Sequence, residues 1–190
     1  KIYAYAGYEL LEYIESTGVN GKQLINTGYN HQANDKVECD VMISTTGQSS
    51  WSCLFGAMWN NKTDGYVVQC AKGTSDQAAV VYDRGSDSKI ELSNSANLRG
   101  TRILLTCQGA TATWDTGTSS GSATLGKAIG NNSQIPMVIF NENYAATAGG
   151  LKVSDNWWTA AKLYRFRITT NDGRVMRDFV PARRLSDGKV

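Results

Sequence analysis

Lys36-Val-Glu-Cys-Asp-Val-Met-Ile43 alternates strictly, with Lys36, Glu38, Asp40 and Met42 at even positions and Val37, Cys39, Val41 and Ile43 at odd ones. Neighbouring side chains of an extended backbone point to opposite sides, so the odd set shares one face and the even set the other. This is the pattern of a half-buried strand. The segment 160–169 repeats it, with Tyr164, Phe166 and Ile168 alternating with Leu163, Arg165 and Arg167. Further strands are expected over 8–15, 22–27, 51–58, 65–71, 77–83, 101–107, 110–115, 136–141 and 173–180. Turn chemistry separates them at Thr45–Ser50, Asn60–Gly65, Arg84–Asp87, Asp115–Gly117 and Asn171-Asp-Gly173. The last is a strong hairpin signal, because Gly and short Asx residues tolerate positive φ. Only Ala145-Ala-Thr-Ala148 has the look of a helical turn, and the glycines after it argue against one. Many short strands with such turns predict an all-β sandwich of antiparallel sheets. Its core is expected to hold Val37, Cys39, Val41, Leu104, Tyr164, Phe166 and Phe179, with Trp51 and Trp114 also placed inside.

Composition agrees. The 190 residues fit one domain, and 41% hydrophobic with 19% charged residues is neither a disordered nor a membrane-spanning profile. The longest apolar stretch, Ile135–Phe140, falls far short of the roughly 20 residues that cross a bilayer, so no membrane insertion is expected. A net charge of +2 with both signs interspersed gives no basic stripe, which argues against nucleic acid as a partner. The cysteines Cys39, Cys53, Cys70 and Cys107 form no Cys-x-x-Cys pair, and the only histidine is His31, in a polar loop where exposure is expected. A zinc site is therefore not expected. The cysteines sit in strand-like runs and are read as free, buried thiols, with a disulfide as the alternative.

Two phrases carry a family likeness. Tyr8-Glu-Leu-Leu-Glu-Tyr-Ile-Glu-Ser-Thr-Gly18 is followed by Asn26-Thr-Gly28, Val37-Glu-Cys-Asp40 and Phe55-Gly56, and the chain closes with Arg177-Asp-Phe-Val-Pro-Ala-Arg-Arg-Leu-Ser-Asp-Gly188. This series resembles the concanavalin A-like (laminin-G-like) jelly-roll modules of bacteriophage structural proteins and gut-bacterial surface proteins. The resemblance implies one jelly-roll sandwich of two antiparallel sheets over 8–190, with 1–7 as an N-terminal extension or linker. It also implies a place on a virion, as head decoration or fibre, or on a bacterial surface, among other virion or surface-protein subunits.

The same fold carries glycoside hydrolases of laminarinase type, whose catalytic strand presents alternate carboxylates. Glu38 and Asp40 share a face, but the next positions along the strand are Met42 and Ile43. A second catalytic carboxylate beyond Asp40 is missing, and Glu91 or Glu142 as a substitute has no motif behind it. His31 has no Ser-His-Asp pattern around it either. Catalysis is not expected.

Glycan recognition needs flat rings for sugar faces and amides for hydroxyls. Trp157 and Trp158 close a largely polar segment that opens with Gly149-Gly150, and neighbours on an extended chain cannot both enter the core. Trp59 at a strand end, with Asn141, Asn143 and Tyr144 after the strand 136–141, is expected to line a rim with them. The candidate ligands of a glycan or cell-surface polymer are thus Trp157, Trp158, Trp59, Asn141, Asn143 and Tyr144. Calcium is the one cofactor that relatives raise as possible. Asp64, Asp83, Asp87 and Asp155 form no dense acidic series, so no metal or other cofactor is predicted.

Overall fold

Lys36–Ile43 is a strand over its whole length, with the odd residues buried and the even ones half-buried on the other face. A computed structural model describes residues 7–18, 23–45, 52–59, 64–70, 80–83, 88–91, 99–124 and 132–190. Trp51, Asp87 and most of the turns expected at 45–50, 60–65 and 84–87 lie outside the described residues.

In chain order the strands are β1 (Tyr8–Leu10), β2 (Ile14–Ser16), β3 (Ile25–Asn26), β4 (Lys36–Ile43) and β5 (Cys53–Trp59). Then come β6 (Asp64–Gln69), β7 (Val80–Asp83), β8 (Ser88–Glu91), β9 (Arg102–Gln108) and β10 (Thr111–Asp115). The last five are β11 (Ser120–Thr124), β12 (Val138–Ile139), β13 (Ala161–Thr169), β14 (Val175–Phe179) and β15 (Ala182–Arg184). No helix occurs among the described residues.

The strands form two large antiparallel sheets and a small terminal ribbon of β1 and β15. The seven-stranded sheet runs β11-β10-β9-β4-β13, and the far side of β13 is shared: β2 pairs with Ala161–Leu163 and β14 with Phe166–Thr169. The six-stranded sheet runs β3-β12-β5-β6-β7-β8. Val37, Cys39, Val41, Ile43, Ile103, Leu105, Cys107 and Ile168 from the first sheet pack with Phe55, Ala57, Tyr66, Val68 and Ile139 from the second. Phe55 meets Phe166 edge to face with ring centroids 5.2 Å apart, joining the two sheets. Such a pair adds about 1 kcal/mol beyond the area it buries. The architecture is therefore an antiparallel β-sandwich.

Three core expectations are corrected by local geometry. Leu104 is 42% exposed, because Ile103-Leu-Leu105 is continuously apolar and only Ile103 and Leu105 have the inward parity of β9. Tyr164 lies half-buried on the outer face: the register between β13 and β4 shifts between Leu163 and Arg165, so inward residues are Ala161 and Leu163 before the bulge and Phe166 and Ile168 after it. Phe179 is half-buried against the core edge rather than inside it. Trp114 is buried as expected, and its ring lies across its cross-strand partner Gly121, where an added Cβ would come within 2.7 Å of the indole. The expected strand 8–15 is broken into β1 and β2, and β8, β11 and β15 answer to no alternating apolar run.

Candidate functional site

The segment between β12 and β13 forms the aromatic rim, and it is held by the backbone of β5. Phe140, in the left-handed region at φ 70°, donates its N–H to Leu54 O at 2.6 Å. Met58 N–H donates to Asn143 O at 2.7 Å, and Cys53 N–H donates to Trp157 O at 2.8 Å. Both limbs of the segment are thus fixed to one strand.

Asn143 braces the segment from within. It is fully buried; its Nδ2 donates to Pro136 O and Gly150 O, both at 2.9 Å, and its Oδ1 accepts from Ala145 N at 3.2 Å and Lys152 N at 2.9 Å. Asn141, also fully buried, donates from Nδ2 to Ser154 O at 2.9 Å and accepts at Oδ1 from Glu142 N at 2.8 Å. Sequence reasoning placed both amides on the ligand-facing surface. The structure instead commits them to backbone groups that only a side-chain amide, with donors and acceptors together, satisfies at once.

The rings stand on this frame. Trp157, Trp158 and Tyr144 are half-buried, and neither tryptophan belongs to the core. Tyr144 and Trp157 meet edge to face at 5.4 Å, and Lys152 Nζ lies 4.9 Å over the Tyr144 ring. The structure therefore brings Tyr144 and Trp157 together, with Trp158 next in the chain. Trp59 ends β5 opposite Asp64, and its side chain lies outside the described part.

Beneath the rim is a buried pair that the sequence did not signal. Glu142 is 1% exposed, and its Oε2 accepts from the Cys53 thiol at 2.9 Å. Burial pushes that thiol well up, and Glu142 pushes it further, so Cys53 is a protonated donor and no nucleophile.

The outer face of the seven-stranded sheet holds the second concentration of polar groups. Arg102 grips Asp40 through Nε and Nη2, both at 2.8 Å, while Lys36 Nζ lies 2.7 Å from Glu38. Arg165 takes both oxygens of Asp178 at 2.8 and 2.7 Å. These hydrogen bonds, first from Arg165 and then from Arg167, hold the Asp178 carboxyl down to about 2 against the opposing effect of burial. Arg102 also lies 3.9 Å over the Tyr164 ring, which meets Tyr13 at 5.7 Å. A groove of about 190 Å³ opens here between Glu38, Asp40, Leu104, Arg165 and Arg167.

His31 is a correction. It is 1% exposed, with its ring 5.0 Å from Tyr66. Asp35 folds the loop inward by accepting from Tyr29 OH at 2.9 Å and Gln32 N at 2.7 Å, and Ser133 N donates to His31 O at 2.9 Å. All four cysteines are buried and free. No group of three or more His, Cys, Asp or Glu poised for a metal occurs among the described residues, where Asp155 is exposed. Nor is any helix there long and apolar enough to cross a membrane.

The chain matches no family model and no curated protein. Its function is therefore read from its own geometry.

Proposed function

We propose that this chain is a concanavalin A-like, laminin-G-like jelly-roll module that binds cell-surface glycans without catalysis, displayed on a phage virion as head decoration or fibre or on a bacterial surface. The observation that carries this reading is the Tyr144–Trp157 pair, half-exposed on a segment braced by Asn141 and Asn143. Rigid rings on a fixed loop offer a stacking platform for the apolar face of a sugar at little entropic cost. Lys152 adds a donor beside it. Weak single-site binding suits a module displayed in many copies, because multivalency supplies the avidity.

Non-catalytic action is supported by the state of the outer-face carboxylates. Glu38 and Asp40 are each engaged by a cation, and Met42 takes the next outward position on β4. A glycoside hydrolase requires two carboxyl groups free to flank the glycosidic bond, and here Lys36 and Arg102 already occupy Glu38 and Asp40. A purely structural virion or assembly role is the second reading, favoured by Tyr8, Val180 and Leu185, which are exposed on or beside the terminal ribbon at 44%, 42% and 63%.

A glycan-array screen with Trp157→Ala and Trp158→Ala alongside the parent, with calcium present and chelated, separates these. Selective binding lost in either variant supports the lectin-like reading. A folded protein that binds no glycan overturns it in favour of protein contacts.

A further inference from the structure

The groove on the outer face of the seven-stranded sheet shares no residue with the aromatic rim. Its shape comes from the bulge in β13, which sets Tyr164 and Arg165 consecutively on the outer side. Register then aligns Asp40 with both Leu104 and Arg165, and Glu38 with Arg167. Exposed ion pairs contribute only about 0–1 kcal/mol each, so stability alone does not account for gathering them around a cavity.

The two arginines are not equally satisfied. Arg165 forms a parallel fork on the two oxygens of Asp178, whereas Arg167 directs Nε at 3.2 Å and Nη2 at 2.7 Å onto the single oxygen Oδ2. A guanidinium fork is matched to two oxygens of one oxyanion, and Arg167 lacks that match. Around the groove, Lys36 pairs with Glu38 and Arg102 with Asp40, with Glu12 also acting on Arg102. Arg165 and Arg167 share Asp178, two guanidinium groups on one carboxylate.

We propose that this groove binds one acidic sugar unit, a ring bearing a carboxylate or sulfate ester. The oxyanion lies on Arg167 and Arg165, ring hydroxyls donate to Glu38 and Asp40, and the apolar ring face rests on Leu104. All five lining residues thereby have a role, and about 190 Å³ suits one ring rather than an extended chain. The inference takes its ligand class from the glycan-binding reading but uses a different set of residues.

Calorimetric or NMR titration of the whole chain with methyl glucuronide, glucose 6-sulfate and methyl glucoside tests it. Both charged sugars are expected to bind at least about tenfold more tightly than the neutral one, since charge-assisted hydrogen bonds are the stronger kind. Arg167→Gln is expected to remove that difference, Arg167→Lys to restore part of it, and Arg183→Gln, on the terminal ribbon, to leave it unchanged, with circular dichroism confirming that each variant is folded. Equal affinities for charged and neutral sugars, or a difference that survives Arg167→Gln, overturn the inference. If the preference disappears in Trp157→Ala instead, the groove assignment fails while the glycan-binding reading stands; if no sugar binds, both fail.

Discussion

Arg177 clasps the turn at Thr27: its Nε donates to Thr27 O at 2.6 Å and its Nη2 to Gly28 O at 2.9 Å, across 150 residues of chain. Asn26-Thr-Gly28 and Arg177-Asp-Phe-Val-Pro181, two parts of one sequence likeness, are thus in direct contact. Gly28 holds a positive φ of 60° and keeps its carbonyl turned to the guanidinium. Arg177→Ala removes both bonds and leaves the partly buried Thr27 carbonyl short of a donor. It is expected to lower stability by about 2 kcal/mol, read as a shift in urea midpoint, and Arg177→Lys is expected to recover less than half.

The sandwich was legible where a single parity decided it. β4 and the second half of β13 alternate cleanly, and Val37, Cys39, Val41 and Phe166 lie in the core as read. Leu104 and Tyr164 were misplaced because a run of three apolar residues and a one-residue bulge each hide parity, and only the pairing partner fixes it. β11 and β15 carry too few apolar residues for alternation to register. At the rim, aromatic residues in a polar loop stand out in the sequence, and Trp157 and Tyr144 lie half-buried outside the core. The burial of Asn141 and Asn143 was not legible, since an amide facing solvent and one bracing a loop look alike in sequence.

Asp178 links the outer-face charges to acid stability. Its folded-state value of about 2 is below that of an unfolded carboxylate near 4, so its contribution is complete above about pH 4 and is lost as pH falls towards 2. The site is partly exposed, which limits the effect to about 1 kcal/mol or less. Urea midpoints of the parent and Asp178→Asn are expected to differ near pH 6 and to converge near pH 2. A constant gap across that range contradicts the assignment.

The thiols are expected to be silent in the folded protein. Burial pushes Cys107 up to about 12, and Cys70 to about 12 as well with Thr159 and Arg99 opposing, while Cys39 and Cys53 are raised well above the ordinary range. Thiolate, the reactive form, is scarce at neutral pH, and access is closed. Mass spectrometry after brief iodoacetamide treatment is expected to find no modified cysteine in native protein and four in denaturant. Labelling of one cysteine under native conditions marks a local opening and overturns the expectation for that site.

Two substitutions in the rim segment are expected to behave oppositely. Asn143→Ala strips partners from four backbone groups at once, Pro136 O, Gly150 O, Ala145 N and Lys152 N, at a fully buried position. At about 1 kcal/mol or more for each group left short, the loss is expected to reach at least about 3 kcal/mol, with any glycan binding lost through collapse of the segment. Trp157→Ala removes a half-buried ring whose described ring contact is Tyr144, so stability is expected to fall by about 1 kcal/mol while binding falls at least tenfold. Thermal unfolding and glycan titration on the same two variants separate bracing from contact. A Trp157→Ala protein as unstable as Asn143→Ala places the indole in the frame and removes it from the ligand surface.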